Sequence, residues 1–123
     1  MVVRIEADEY ARRIRALLGR GGISHVLPRR SRDRWILLHA ISRQFAPGEL
    51  LSEPDANARI ADFLLGPGHY LKLDRVTLRR ALVDEGFVDR DPAGHSYRPS
   101  ERYLRKLEFA DAPEVRAILG PTP

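Results

Sequence analysis

The run Leu73, Asp74, Arg75, Val76, Thr77, Leu78, Arg79, Arg80, Ala81, Leu82, Val83, Asp84, Glu85, Gly86, Phe87, Val88, Asp89, Arg90, Asp91, Pro92, Ala93, Gly94, His95, Ser96, Tyr97 decides the fold. Leu78, Ala81 and Leu82 recur at helical spacing, and Val76 and Val83 widen that apolar face. Asp74 stands where an N-cap accepts the free amides of a first turn. Gly86 stands where the last turn needs a left-handed residue. Phe87 and Val88 then open an extended run that continues through Asp89 and Arg90. Asp91 to Gly94 has the composition of a tight turn, with Pro92 fixing φ and Gly94 free to close it. Ser96 to Arg98 returns as a second strand. A helix, a stop and a hairpin are therefore expected over residues 74–98.

Working outward, Tyr10, Ile14, Leu17 and Leu18 form an apolar stripe behind Asp8, and Gly19, Gly21 and Gly22 end it. Residues 23–30 read as a linker broken by Pro28. Ser31 is placed to cap a helix with Trp35, Leu38, Ile41 and Phe45 on one stripe, and Pro47 with Gly48 stops it. Glu49 to Leu51 reads as a short strand. Ser52 and Asp55 have the offset of a capping box ahead of a helix carrying Ala56, Ile60, Phe63 and Leu64. Past Pro99, Ser100 is placed to cap a helix bearing Tyr103, Leu104 and Leu107. Asp111 and Pro113 precede another with Val115, Ile118 and Leu119.

Helix, strand, helix, helix and hairpin, in that order, make the plan of a winged helix-turn-helix. The expected fold is mainly α with a small β-hairpin wing, flanked by N- and C-terminal helices. At 123 residues a single domain is expected. It divides into an N-terminal helix at 1–22, the winged-helix core at 23–99 and a C-terminal helical extension at 100–123.

Residues 22–99 resemble the bacterial family known as domain of unknown function 2087. The resemblance rests on Leu27 and Pro28 before a basic run; Phe45; Glu53 and Asn57 ahead of a helix; Leu78, Arg79, Arg80, Leu82 and Val83; and the ending Arg90, Gly94, Tyr97. Arg98 replaces an aromatic residue common in relatives, and Ala56 replaces a valine. The resemblance implies a winged-helix-like fold in a regulatory context, since such domains occur alone and attached to transcriptional regulators. It implies no chemistry.

Composition narrows the function. No run of about 18 apolar residues is present, so no membrane span is expected. Residues 1–9 carry acids and lack the apolar run of a secretory signal. The chain has no cysteine, which removes disulfides and thiolate metal sites and suits a cytoplasmic setting. His25, His39, His69 and His95 have no second ligand at metal-binding spacing. No metal site, cofactor or catalytic constellation is expected, and His39 reads as a satisfied core or boundary residue.

Charge bears on nucleic acid, because duplex affinity rests on neutralising phosphates. Residues 1–48 hold ten basic and four acidic residues, residues 49–98 seven and nine, and residues 99–123 four of each. The helix at 74–86 is itself neutral. A helical wheel groups Thr77, Arg80 and Asp84 outward, with Arg79 in the apolar arc. Arg79 is expected to turn inward and pair with a carboxylate such as Glu53 or Glu85. Arg75, Thr77, Arg80, the turn residue His95 and the upstream Arg29, Arg30, Arg32 and Arg34 are the candidate nucleic-acid contacts. For Arg80 and for the upstream run a solvated surface is an equal alternative. Gly86 and Gly94 are structural.

Two readings stay open. One is a non-enzymatic DNA-binding or transcription-associated regulator acting on double-stranded DNA, dimeric through its terminal helices. The other is a protein-interaction or dimerisation module that keeps the winged fold without touching DNA.

Overall fold

The computed structural model describes residues 1–22 and 25–120. The start of the expected linker, residues 23–24, and the end of the expected extension, residues 121–123, lie outside the described residues. The elements are β1 (Val3–Ile5), α1 (Ala7–Leu18), α2 (Ser31–Ser42), β2 (Leu51–Ser52), α3 (Glu53–Leu65), α4 (Arg75–Asp84), β3 (Val88–Arg90), β4 (Ser96–Pro99), a 3-10 turn at Arg102–Arg105, β5 (Leu107–Phe109) and α5 (Val115–Leu119). The architecture is mixed α/β, with two small sheets among five α-helices in the described residues.

α2 is the central helix. Ile36, Leu37, Leu38, His39, Ala40 and Ile41 are all buried, so it is enclosed on most sides rather than along the single stripe its spacing suggests. α1 covers it with Tyr10, Ile14, Leu17 and Leu18, and α5 packs on α1. Both terminal helices thus spend apolar surface within the chain. α3 lies on α4, which buries Leu78 and Leu82 but leaves Val76 exposed at its first turn.

Local signals fix several boundaries. The Ser52 hydroxyl accepts from the Asp55 amide, and the Asp74 carboxylate accepts from the Val76 amide. Each satisfies a first-turn donor that has no partner inside its helix. By contrast α1 and α2 begin after Glu6 and Arg30 without a side-chain cap, and Ser31 is already inside α2.

β3 and β4 pair antiparallel, with Arg90 opposite Tyr97 and Asp89 opposite Arg98. β2 adds to the other edge of β4, giving the sheet order β2–β4–β3. Between β3 and β4 the turn is held by Asp91, whose carboxylate accepts from the amides of Ser96 (3.0 Å) and His95 (2.6 Å). Those amides, Ser96 first, hold its carboxyl below the ordinary aspartate value.

The C-terminal extension departs from expectation. Instead of a helix through Tyr103, Leu104 and Leu107, one 3-10 turn is followed by β5, which pairs parallel with β1. The cause is competition for backbone donors. The Tyr103 amide bonds to Gly86 O (3.0 Å) at the end of α4, while Lys106 O accepts from Val3 and Ala110 donates to Ile5 O. Fully buried Leu107 seats the strand. Ser100 is not the cap expected of it: the 3-10 turn has Glu101 at its N-cap without a side-chain cap, and Ser100 Oγ, one residue earlier, accepts from the Arg102 amide. Among the described residues no helix is long and apolar enough to cross a membrane.

Candidate nucleic-acid interface

The candidate site is built on α4 and the hairpin, and its geometry follows from two glycines. Gly86 has φ of 87°, in the region open chiefly to glycine. It turns the chain from α4 into β3. Gly94, with φ of 75°, closes the hairpin turn. A Cβ on Gly94 would collide with the guanidinium of Arg90, so the missing side chain also makes room for that arginine.

The adjacent arginines of α4 have different fates. Arg79 is only 15% exposed and pairs with Glu53 at 2.9 Å. It also donates to Asn57 Oδ1 and lies over the Tyr97 ring, 5.4 Å from its centroid. Both Nη atoms and one face of this guanidinium are thus engaged. Arg80 is exposed and has no ion-pair or hydrogen-bond partner among the described residues. Arg75 is likewise exposed and unpaired, whereas Thr77 donates its hydroxyl to Asp74 (3.3 Å) within the cap.

The hairpin register carries a third arginine to the same place. Because Arg90 stands opposite Tyr97, it shares Tyr97's face, which turns toward α4. The result is a cleft of about 160 Å³ lined by Arg79, Arg80, Val83, Asp84, Arg90 and Tyr97. Among the described residues two of its cations, Arg80 and Arg90, have no partner, and Asp84 is the one carboxylate that lines it. Arg98 lies on the other face of the hairpin, exposed and unpaired among the described residues. His95 is exposed at the turn.

The upstream basic run is divided. Arg34 bonds Glu85 at 2.8 Å and Arg32 bonds Glu9 at 2.7 Å. Arg32 also donates to Arg4 O. Arg29 and Arg30 are exposed without such partners among the described residues. Glu85 is a junction: besides Arg34 it accepts from Lys106 Nζ (2.6 Å) and Trp35 Nε1 (3.4 Å). Burial opposes its charge, but the Lys106, Arg34 and Trp35 donors outweigh it and hold its carboxyl below the ordinary glutamate value. Glu85 follows the last residue of α4, so this junction sets Arg29–Arg34 against the C-terminal end of that helix.

Arg90 and Arg98 were not among the candidates read from sequence. The signal for Arg90 was present, since strand alternation over 88–90 and the spacing of Arg90 to Tyr97 across a short turn predict a shared face.

Comparison with curated proteins and with solved structures finds no match. Residues 25–99 match the family described as "Uncharacterized protein conserved in bacteria (DUF2087)", and the chain belongs to that family.

Proposed function

We propose that this chain is a non-enzymatic winged-helix regulator that binds double-stranded DNA with α4 and the β3–β4 hairpin. The element order α2–β2–α3–α4–β3–β4, with sheet order β2–β4–β3, supports the winged reading. The observation that carries the function is the α4–hairpin cleft, where Arg80 and Arg90 stand unpaired beside one carboxylate. Unpaired guanidiniums on a helix and an adjoining hairpin suit phosphate oxygens and base edges. Arg75 is a further exposed cation at the start of α4, Arg98 stands on the other face of the hairpin, and Arg29 and Arg30 are exposed ahead of Arg34, which reaches the end of α4 through Glu85.

Anisotropy titration of a mixed-sequence duplex tests it. Affinity should fall steeply between about 50 and 200 mM salt, with a log–log slope near −0.9 for each phosphate neutralised. No binding at low salt sinks the proposal.

A second reading, docking of a protein partner on the same cleft, is favoured by Asp84. A carboxylate between Arg80 and Arg90 repels a phosphate but suits a partner with both signs of charge. Capture of a protein that is lost in Arg80→Ala or Asp84→Ala, without duplex binding, selects this reading.

A further inference from the structure

A different cavity, of about 270 Å³, opens where the end of α2 meets the turn at residues 45–48, the end of β4 and the 3-10 turn. Its size is just below the roughly 300 Å³ at which drug-sized pockets begin, so it suits a ligand of one ring. Phe45, Phe87 and Tyr103 supply aromatic wall, and the Phe87 and Tyr103 rings stack at 4.7 Å.

Its polar lining offers donors at His39 and Ser100 and the charge of Arg43, while Ser42 Oγ gives its proton to His39 O and presents only lone pairs. His39 is stacked on Phe109 at 4.0 Å, and its Nδ1 is 2.8 Å from the hydroxyl of fully buried Tyr10. That hydroxyl has no other partner among the described residues, and a buried hydroxyl proton needs an acceptor. Tyr10 therefore donates to Nδ1, and the ring's own proton sits on Nε2. Among the described residues Nε2 makes no hydrogen bond, yet none of their enclosed side-chain nitrogens or oxygens lacks one. Nε2 must then be open to solvent, which the cavity provides.

Arg43 adds a positive charge to the lining. Its Nη atoms donate to the carbonyls of Pro113 and Ala112, both at 2.6 Å, which are neutral acceptors. Its nearest carboxylate, Glu114, is 4.0 Å away and 78% exposed. Ser100 Oγ accepts from the Arg102 amide and keeps its own proton to give. Glu101 is the one carboxylate lining the cavity, and it faces solvent.

We propose that this cavity binds a small aromatic carboxylate, its ring against Phe45 and Tyr103 and its carboxylate on His39 Nε2–H and the Arg43 charge. The position gives such a ligand a route to the interface. Phe87 follows Gly86 directly after α4, Tyr103 donates its amide to Gly86 O, and Ser100 donates to Phe87 O at 2.9 Å. An occupant touches the joint that sets α4 against the hairpin, which is the position of an effector. Binding itself does not depend on the DNA reading.

The test is proton NMR of the full chain titrated with benzoate, benzamide and acetate, followed at the His39 and Tyr103 ring resonances. Benzoate should give saturable shifts at both rings, with benzamide weaker by roughly tenfold or more and acetate without effect. His39→Phe should abolish the benzoate shift at Tyr103. Tyr103→Leu, which keeps an apolar side chain against Phe87 at this half-buried position, and Tyr103→Ala should each weaken benzoate by roughly tenfold as read at His39, so the test stands if His39→Phe does not fold. No saturable shift at the solubility limit of benzoate overturns the site. Equal benzamide binding overturns the carboxylate assignment, and undiminished binding in Tyr103→Ala overturns the location.

Discussion

The guanidinium of Arg79 lies 2.9 Å from the carboxylate of Glu53, and this contact between α4 and the start of α3 leaves Arg80 as the neighbour that faces outward. Consecutive helical residues are about 100° apart around the axis, so one can lock the helix onto its support while the next stays open to a ligand. Arg79 is thereby given to stability, and Arg80 is left free for the binding proposed above.

Arg79→Ala removes the Glu53 pair, the Asn57 bond and the cover over Tyr97. Glu53 is half exposed and can return to water, so the loss comes mainly from the hydrogen bond and packing, about 1–3 kcal/mol. Arg80→Ala should change stability by no more than about 0.5 kcal/mol. Urea unfolding of the two variants checks this, and equal losses would contradict the division.

Duplex binding should show the reverse order. Arg80→Ala and Arg90→Ala should each weaken binding and reduce the salt slope by about 1. Arg34→Ala should leave the slope of the folded protein unchanged, because Arg34 is committed to Glu85. Anisotropy titrations at several salt concentrations distinguish them. A slope lost with Arg34 and kept with Arg80 would move the interface away from the α4–hairpin cleft.

How much of this was legible in the sequence depends on how local each cause is. Asp74, Gly86 and the Asp91–Gly94 turn act within a few residues of themselves, and α4 and the hairpin follow from them. β1 and β5 are three residues each and pair Val3 with Leu107 across nearly the whole chain. Strands so short show no period, and Tyr103, Leu104 and Leu107 fit a helical stripe equally well. The same distance limit governs the site. The positions of the arginines are plain, but their freedom depends on carboxylates far away in the chain: Glu9 lies 23 residues from Arg32, and Glu85 lies 51 from Arg34. Burial on several sides likewise hid α2 as the central helix, because an apolar stripe shows only where one face meets water.

Gly86 and Gly94 share a positive φ but differ in what an added methyl meets. At Gly86 a Cβ comes 2.9 Å from the backbone nitrogen of Tyr103, which cannot step aside. At Gly94 it meets only the end of the Arg90 side chain, which can. Gly94→Ala should cost about 1–2 kcal/mol from backbone strain alone and weaken duplex binding by displacing Arg90. Gly86→Ala adds a backbone shift and should cost about 2–5 kcal/mol. Thermal or urea unfolding orders the two, and equal costs would mean that the Gly86–Tyr103 approach is loose.

His39 makes folding stability depend on pH in a window where carboxylates are silent. Burial, and then the charge of Arg43, push its pKa from about 6.5 down to about 3. As pH falls through about 6.5 the unfolded chain takes up a proton at this ring. The folded protein refuses it until about pH 3. The contribution of the neutral ring is therefore complete above pH 6.5 and is lost at about 1.4 kcal/mol per pH unit as pH falls between those values. Glu9, Glu49, Glu85 and Asp91, whose carboxyls the fold holds low, add a loss of the same sign mainly below about pH 4.5. Urea unfolding at about pH 7, 6 and 5 thus isolates the imidazole. The native protein should weaken progressively across these values. His39→Phe, although less stable at every pH because Tyr10 loses its partner, should lack this part of the slope. A variant that keeps the full slope would assign the proton to another group.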